Sequence, residues 1–263
     1  NDSDIFLTRS DWIFYFLSRK NKNVIFECHQ VSKVRNFVLN FVKNKPNSKI
    51  IFTTKKLKKY FNVVNKNIVL NNAYDEDLFI DFKNIKREDK IIFVGSLLRF
   101  KKDRNIKFLI ESFKDPRLKE FSLEIIGGPD NYKNNLVELV ENSKIENVSL
   151  TGQLSRKETI KNMLNSKVGI LINSSEHDHS TLHTSPLKYF EYLRSGLNII
   201  AIDFPSHRSL PFSEDIDYFN ENDKESFIKA CLSALNRPER KSNNIKQYSY
   251  KYRVNKFIKF IED

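Results

Sequence analysis

The chain is poor in the residues that usually cross-link or punctuate a fold: two cysteines, six glycines and seven prolines among 263 residues. Cys28 and Cys231 stand far apart in no metal-binding spacing. That excludes a disulfide framework and a cysteine-based metal knuckle, and is the usage expected of a reducing compartment. No apolar run approaches the ~20 residues that a membrane-spanning helix needs. Internal repeats, low-complexity stretches and a signal-peptide pattern are missing too. The sequence begins Asn1-Asp2-Ser3 without Met, so a true start further upstream is expected. Acidic residues are in deficit: 33 Asp and Glu against 45 Lys and Arg give a net charge of +12. That balance suits an anionic partner, whether nucleic acid, an acidic membrane face or a phosphorylated substrate. Nucleic acid ranks last of these, because no recognition helix or stacking motif with clustered Arg is visible. The run Lys55-Lys56-Leu57-Lys58-Lys59 fits either lipid contact or an ordinary amphipathic helix carrying Leu57 and Tyr60 on one face.

What is present is globular: 40% hydrophobic residues with 30% charged. Short apolar runs alternate with helical patterns almost throughout, which argues for parallel α/β layers. Asp4–Thr8 and Asn23–Glu27 read as buried strands. A helix over Val31–Val42, the strand Lys49–Phe52, a helix over Lys55–Phe61 and the strand Asn67–Leu70 follow. Polar residues from Asn71 to Lys90 carry the expected domain boundary. A second series runs from the strand Ile91–Val94 through helix Asn105–Phe113, strand Ser122–Ile126, helix Asn134–Asn142, strand Val148–Leu150, helix Arg156–Leu164 and strand Val168–Ile172. A helix starting at Ser185, strands Leu197–Ile202 and Ile216–Phe219, helix Lys224–Leu235 and a last helix Tyr248–Ile261 complete it. Trp12 and Tyr15 read as core or interface residues.

The segment richest in chemistry is Ser185-Pro186-Leu187-Lys188-Tyr189-Phe190-Glu191-Tyr192-Leu193-Arg194-Ser195-Gly196. Ser before Pro predicts a helix start with Ser185 as N-cap and Pro186 at the first helical position, and Gly196 predicts its end. A helix start offers free N–H groups and partial positive charge to an anion. Lys188 in that first turn opposes the helix dipole unless an anion is near. Glu191 lies three residues on, along the same face. A phosphate seat and a surface Lys188–Glu191 pair both satisfy this spacing.

This stretch resembles the donor-binding motif of glycosyltransferase family 4, Ser-Pro-Leu-Lys-x-x-Glu-Tyr-x-x-x-Gly before a buried strand. Other segments are similar in the same order: Val94-Gly95-Ser96-Leu97…Lys101, Ile125-Ile126-Gly127-Gly128-Pro129, Val148-Ser149-Leu150-Thr151-Gly152, Asp203-Phe204-Pro205-Ser206 and Tyr248-Ser249-Tyr250…Arg253. Upstream, Phe26-Glu27-Cys28-His29 resembles a strand end presenting His29 into a cleft, and Phe52-Thr53-Thr54 with Asn72…Asp75…Phe79 resembles the close of the first domain. The resemblance implies an α/β protein of GT-B architecture, two Rossmann-like domains facing a cleft. These would be a partial N-terminal domain over 1–84, a nucleotide-sugar domain over 85–245, and a helix over 246–263 returning to the first domain.

The activity so implied is that of a retaining glycosyltransferase moving a sugar from a UDP- or GDP-sugar to a glycan or lipid-linked acceptor in cell-surface polysaccharide synthesis. It would work in the cytoplasm, with peripheral contact to an anionic membrane and no nucleic acid partner. A sugar-nucleotide epimerase and a non-catalytic donor-binding module share the architecture and are the alternatives. Cleaving a sugar–phosphate bond builds negative charge on the diphosphate, so preorganised cations are needed. His29, Lys101 and Lys188 are the expected catalytic residues. Gly95, Ser96, Arg99, Gly127, His183, Ser185, Pro186, Leu187 and Glu191 are the expected donor-binding ones, Glu191 taking the ribose hydroxyls. The family works without an essential metal, so none is expected. The histidine-rich loop His177-Asp178-His179…His183 lacks fixed zinc spacing and resembles a donor loop. Three departures stand out: His183 where the family often has Glu, Ser96 where it has Arg, and Lys102 where it has Gly.

Overall fold

The computed structural model describes residues 4–42, 44–82, 85–176, 178–240 and 245–262, and two parallel sheets organise them. The first sheet takes its strands in sequence order, β1 (Ile5–Thr8), β2 (Asn23–Cys28), β3 (Ser48–Phe52) and β4 (Asn67–Val69), joined by helices α1 (Asp11–Arg19), α2 (Lys33–Val42) and α3 (Lys55–Phe61). Ser10 and Thr54 start α1 and α3 by accepting from the N–H groups of Ile13 and Leu57. Phe14, Phe26, Val38, Leu39, Ile50, Phe52 and Leu57 form the core between these helices and the sheet.

The second unit comprises β5 (Lys90–Val94), the short hairpin β6 (Leu98–Arg99) and β7 (Lys102–Asp103), α4 (Ile106–Ser112), β8 (Ser122–Ile126), α5 (Asp130–Asn142), β9 (Val148–Gly152), α6 (Arg156–Leu164), β10 (Val168–Leu171), α7 (Leu187–Ser195), β11 (Asn198–Ile202), α8 (Pro205–Arg208), β12 (Ile216–Phe219) and α9 (Lys224–Asn236). Its six-stranded sheet runs β12-β11-β10-β5-β8-β9. The chain enters at β5, builds outward to β8 and β9, then crosses to β10 on the other side. The strand order therefore reverses between β5 and β10. In open parallel sheets that reversal opens a crevice beyond the carboxyl ends of the strands. Every residue of β5, β10 and β11 is buried, as strands covered on both faces require.

Several expectations need correction. β1 is an edge strand, not a buried one: Ile5, Phe6 and Leu7 are all exposed. Helix α1 was not foreseen because Trp12-Ile13-Phe14-Tyr15-Phe16-Leu17 is an unbroken apolar run; Phe14 and Ser18 are buried, and Tyr15 and Leu17 pack partly against the core. Helix α5 starts at Asp130, four residues before the expected Asn134, since Asp130–Asn135 is polar apart from Tyr132 and carries no apolar period. The expected domain boundary at residue 84 falls outside the described residues.

Two crossings join the units. Tyr74 donates its N–H to the Tyr248 carbonyl and accepts from Tyr250, making a parallel bridge with Ser249. Helix α10 (Tyr250–Glu262) then lies back on the first sheet, where Phe260 packs against Ile25, Ile51 and Leu70. Lys49 Nζ reaches the Ile261 carbonyl at 2.8 Å. At the end of β2, Glu27 binds Arg9 at 2.7 Å and also holds Arg253 of α10. Burial alone would raise the Glu27 carboxyl, but His29, Arg9 and Arg253 outweigh it and bring it down to about 2 from 4.5. A depressed carboxyl stabilises the fold above its ordinary value and loses that contribution as pH falls toward 2. Glu27→Gln should therefore cost about 3 kcal/mol at neutral pH, and urea titrations at several pH values should show the acid loss between pH 4.5 and 2 largely flattened.

Candidate functional site

The loop after β5 is shaped by backbone contacts that admit no side chain. Gly95 N–H bonds to the Ile126 carbonyl at 3.0 Å, Gly127 N–H to that of Gly152 at 2.8 Å and Leu97 N–H to that of Gly128 at 2.8 Å. A Cβ placed on Gly127 would lie 1.8 Å from the Gly95 carbonyl oxygen. Below this loop, Tyr192 of α7 stands over Gly169 of β10, where a Cβ would lie 2.7 Å from its ring. Its hydroxyl accepts the Val94 N–H at 3.0 Å. The end of β5 is thus fixed from two sides.

Arg104 crosses the strand-order reversal. Its guanidinium donates to the carbonyls of Ser96 at 3.2 Å and Ile172 at 2.9 Å, while Nε has no partner. Burial, then the nearby Arg99, lower its pKa to about 10. Asn105 beside it adopts a left-handed conformation (φ 64°) and bonds the Asn173 carbonyl at 2.9 Å.

Helix α7 begins at Leu187 with Pro186 at the cap position, one residue later than expected. Ser185 does not cap it; its hydroxyl is buried and unpartnered, and its carbonyl accepts from Asn72 Nδ2 at 2.7 Å. Lys188 Nζ lies 2.6 Å from Glu191 Oε2, and Arg156 Nη2 lies 3.0 Å from Glu191 Oε1. Glu191 is only 1% exposed, so it serves in this structure as a buried counter-charge that sets the two cations. Before α7, His179–His183 forms a single π-helical turn.

Two cavities meet along this frame. One, of about 350 Å³, lies between the sheets, with His29, Gln30, Thr53 and Asn72 on one wall. Gly95, Arg99, Arg104, Asn173, His179, Ser185–Lys188 and His207 line the other. The second, of about 480 Å³, follows the loops after β5, β8 and β9 and is lined by Ser96, Gly127, Gly128, Gln153, Leu154 and Arg156. Val94, Gly95 and Lys188 border both. Neither is lined by a carboxylate among the described residues. Buried polar atoms nearly always find partners. Yet four buried polar atoms without a partner among the described residues line the first cavity: Arg104 Nε, Asn173 Oδ1, His179 Nδ1 and Ser185 Oγ. His179 and His207 are both depressed to about 4, by burial above all, and so are neutral near pH 7. His29 Nε2 sits 3.2 Å from Glu27 Oε2.

Of the expected residues, His29, Gly95, Ser96, Arg99, Gly127, Ser185, Pro186, Leu187 and Lys188 line one cavity or the other. Two do not. Lys101 is exposed in the β6–β7 turn and lines neither cavity. The cation that enters is Arg104, three residues on, followed by Asn105 in a backbone conformation natural to glycine. The similarity to a Lys-Gly pair was therefore placed three residues too early, and the left-handed preference of Asn was the available signal. His183 turns away from the cavity and meets the Tyr60 ring of α3 edge-on at 5.3 Å. His179, one turn earlier, was not singled out as a site residue and lines the cavity instead. His177 lies outside the described residues, and among those described no group of three or more His, Cys, Asp or Glu is placed to hold a metal.

Residues 76–252 match the sequence model of the family described as "Glycosyl transferases group 1". The chain belongs to that family. No curated protein matches it. Among solved structures, the group 1 glycosyl transferase chain is similar to sucrose-phosphate synthase from Thermosynechococcus elongatus (TM-score 0.73, 13% identity, covering 98% of this chain and 73% of that one). It is also similar to the Anabaena protein HepE in complex with UDP and glucose (TM-score 0.70, 10% identity, 99% and 78%). A third likeness is to the lipopolysaccharide outer core galactosyltransferase WaaB (TM-score 0.67, 13% identity, 98% and 75%). The fold is GT-B. In this glycosyl transferase, Gly127→Ala should force the loops after β5 and β8 apart. It should lower stability by at least about 2 kcal/mol, read as a fall in melting temperature.

Proposed function

We propose that this group 1 glycosyl transferase uses a nucleotide diphosphate sugar as donor and retains the anomeric configuration. The supporting observation is the meeting of the two cavities at the strand-order reversal, where Arg99, Arg104, Lys188 and a concentration of unpartnered buried polar atoms converge and no carboxylate among the described residues lines either cavity. The diphosphate would lie at that junction, against the Gly95 loop and the start of α7. The nucleoside would extend into the cavity along Gly127-Gly128, Gln153 and Leu154, and the sugar into the cavity between the sheets, toward His29 and His179. As the sugar–phosphate bond breaks, charge grows on the departing diphosphate. Fixed cations in a low-dielectric cleft stabilise that charge more than the ground state. His29 sits beside Glu27, which orients the ring toward the sugar.

A cavity without a carboxylate offers no side-chain nucleophile of that kind, which supports a route by way of the donor's own leaving group. With cations supplying the charge compensation, this reading asks for no metal cofactor. The acceptor would be a glycan or glycolipid of a surface polysaccharide; the likeness to WaaB favours that class. Glu191 would exchange one of its present cations for ribose hydroxyls, and His183 supports the donor loop from behind.

UDP or GDP should raise the melting temperature, with about 2.7 kcal/mol of stabilisation at a hundredfold excess over Kd. Stabilisation by duplex oligonucleotide alone would overturn the reading. Arg104→Ala should weaken diphosphate affinity roughly tenfold to a hundredfold, the worth of a charge-assisted hydrogen bond, while Lys101→Ala should leave it nearly unchanged in the same titration. Bringing a diphosphate into the cleft that neutral His179 lines raises that ring's affinity for a proton. Calorimetric titration of UDP between pH 4 and 6.5, in buffers of different ionisation enthalpy, should therefore show proton uptake that His179→Gln removes.

A further inference from the structure

Two buried side chains line the cavity between the sheets without any part in holding a diphosphate. Asn173 follows β10 and His207 lies in α8; they are 1% and 2% exposed. His207 Nδ1 lies 2.8 Å from the Ile202 carbonyl. A carbonyl oxygen only accepts, so Nδ1 carries the hydrogen and Nε2 of the neutral ring keeps its lone pair. Burial above all keeps the ring neutral, aided by the charge of Arg104 and opposed by the Ile202 bond. The Phe204 ring, stacked on it at 6.0 Å, fixes its plane. Asn173 is held by its backbone, whose carbonyl accepts from Asn105 at 2.9 Å, while its carboxamide Oδ1 is buried and unpartnered. Leaving such an oxygen unpaired destabilises a fold. The cavity therefore presents two neutral hydrogen-bond acceptors held ready for donors that the protein does not supply.

Charge decides what kind of group would meet them. The position where the family often has a carboxylate is His183, which faces Tyr60, and no carboxylate among the described residues lines either cavity. Arg99, Arg104, Arg156 and Lys188 border the cavities, and Glu191 pairs with two of them, a net of three positive charges. A departing nucleoside diphosphate carries up to three negative charges and so occupies all of that compensation. A carboxylate on the sugar would be left facing the lone pairs of Asn173 Oδ1 and His207 Nε2, a repulsive pairing. Sugar hydroxyls donate to such acceptors without adding charge.

We propose that Asn173 and His207 select the transferred sugar by accepting hydrogen bonds from its hydroxyl groups, and that this sugar is uncharged, not a uronic acid. The inference rests on the donor reading and extends it from the nucleotide to the sugar. Calorimetric titrations with UDP, UDP-glucose, UDP-galactose, UDP-N-acetylglucosamine and UDP-glucuronate, with GDP, GDP-mannose and GDP-mannuronate alongside, test the two apart. The uronate donors should bind at least about tenfold more weakly than the best neutral donor, the worth of one hydrogen bond. Asn173→Ala should keep or raise the melting temperature, because the oxygen it removes has no partner, and should leave affinity for the bare diphosphate unchanged. It should still weaken the best neutral donor about tenfold. His207→Leu should show the same split, and His207→Gln, which returns an acceptor, should recover most of the loss. A uronate donor that binds as tightly as the neutral ones would overturn the proposal. So would an equal loss for diphosphate and donor in Asn173→Ala and His207→Leu, or no loss in either. A chain that binds neither UDP nor GDP would overturn the donor reading itself.

Discussion

The cleft depends on one half-buried cation placed where the second sheet changes direction. Arg104 ties the carbonyl of Ser96, after β5, to that of Ile172, after β10. The two strands that begin opposite halves of the sheet thus share one guanidinium. Desolvating a cation that has no carboxylate partner is costly, and that cost appears as its lowered pKa. What offsets it is local: two carbonyls, the Phe93 ring 5.7 Å away, and openness to the cavity. The arrangement keeps a strong donor at the crevice at the expense of stability, as functional sites commonly do.

The fold was largely legible from the sequence because β5, β8, β10 and β11 are short apolar runs separated by helical periods. The errors came where apolar pattern stops carrying information. Helix α1 carries an unbroken apolar run from Trp12 to Leu17, which hid its period. The start of α5 is polar and hid it the other way. At the site, Lys188, Ser185 and Gly95 could be found because a helix start and a strand end are sequence-local features. Arg104 could not be found by charge alone among Arg99, Lys101, Lys102 and Arg104. Only the hairpin β6–β7 decides that Arg99 and Arg104 turn inward while Lys101 and Lys102 stay outside, and its two residues per strand leave almost no pattern. The role of His183 against Tyr60 depends on a contact between residues 123 positions apart, which no local signal records.

The two halves of the molecule divide the electrostatic work. The first unit carries nearly all the excess positive charge, with half of its basic residues on α1, α2 and α3, while the second confines its important cations to the crevice and pairs many others, as in Lys90 with Glu124 at 2.9 Å and Arg237 with Asp217 at 2.6 Å. Net charge alone suggested many anionic partners. Its location separates a broad surface field, which salt screens over about 10 Å, from a few desolvated groups that salt hardly reaches.

The paired crossings at Tyr74 and Ser249 constrain how such a molecule can breathe. Because each crossing is hydrogen-bonded to the other, neither can extend alone, and any widening between the sheets becomes a swing about that shared seam. The contacts that must part include Asn72 from the Ser185 carbonyl, Lys56 from the Pro205 carbonyl and Tyr60 from His183. Tyr60 and His183 lie on segments that also border the crevice, α3 directly after Thr53 and the π-turn through His179. Whatever occupies the crevice therefore leans on the same short turn that latches the two halves, which makes occupancy and closure one mechanical event.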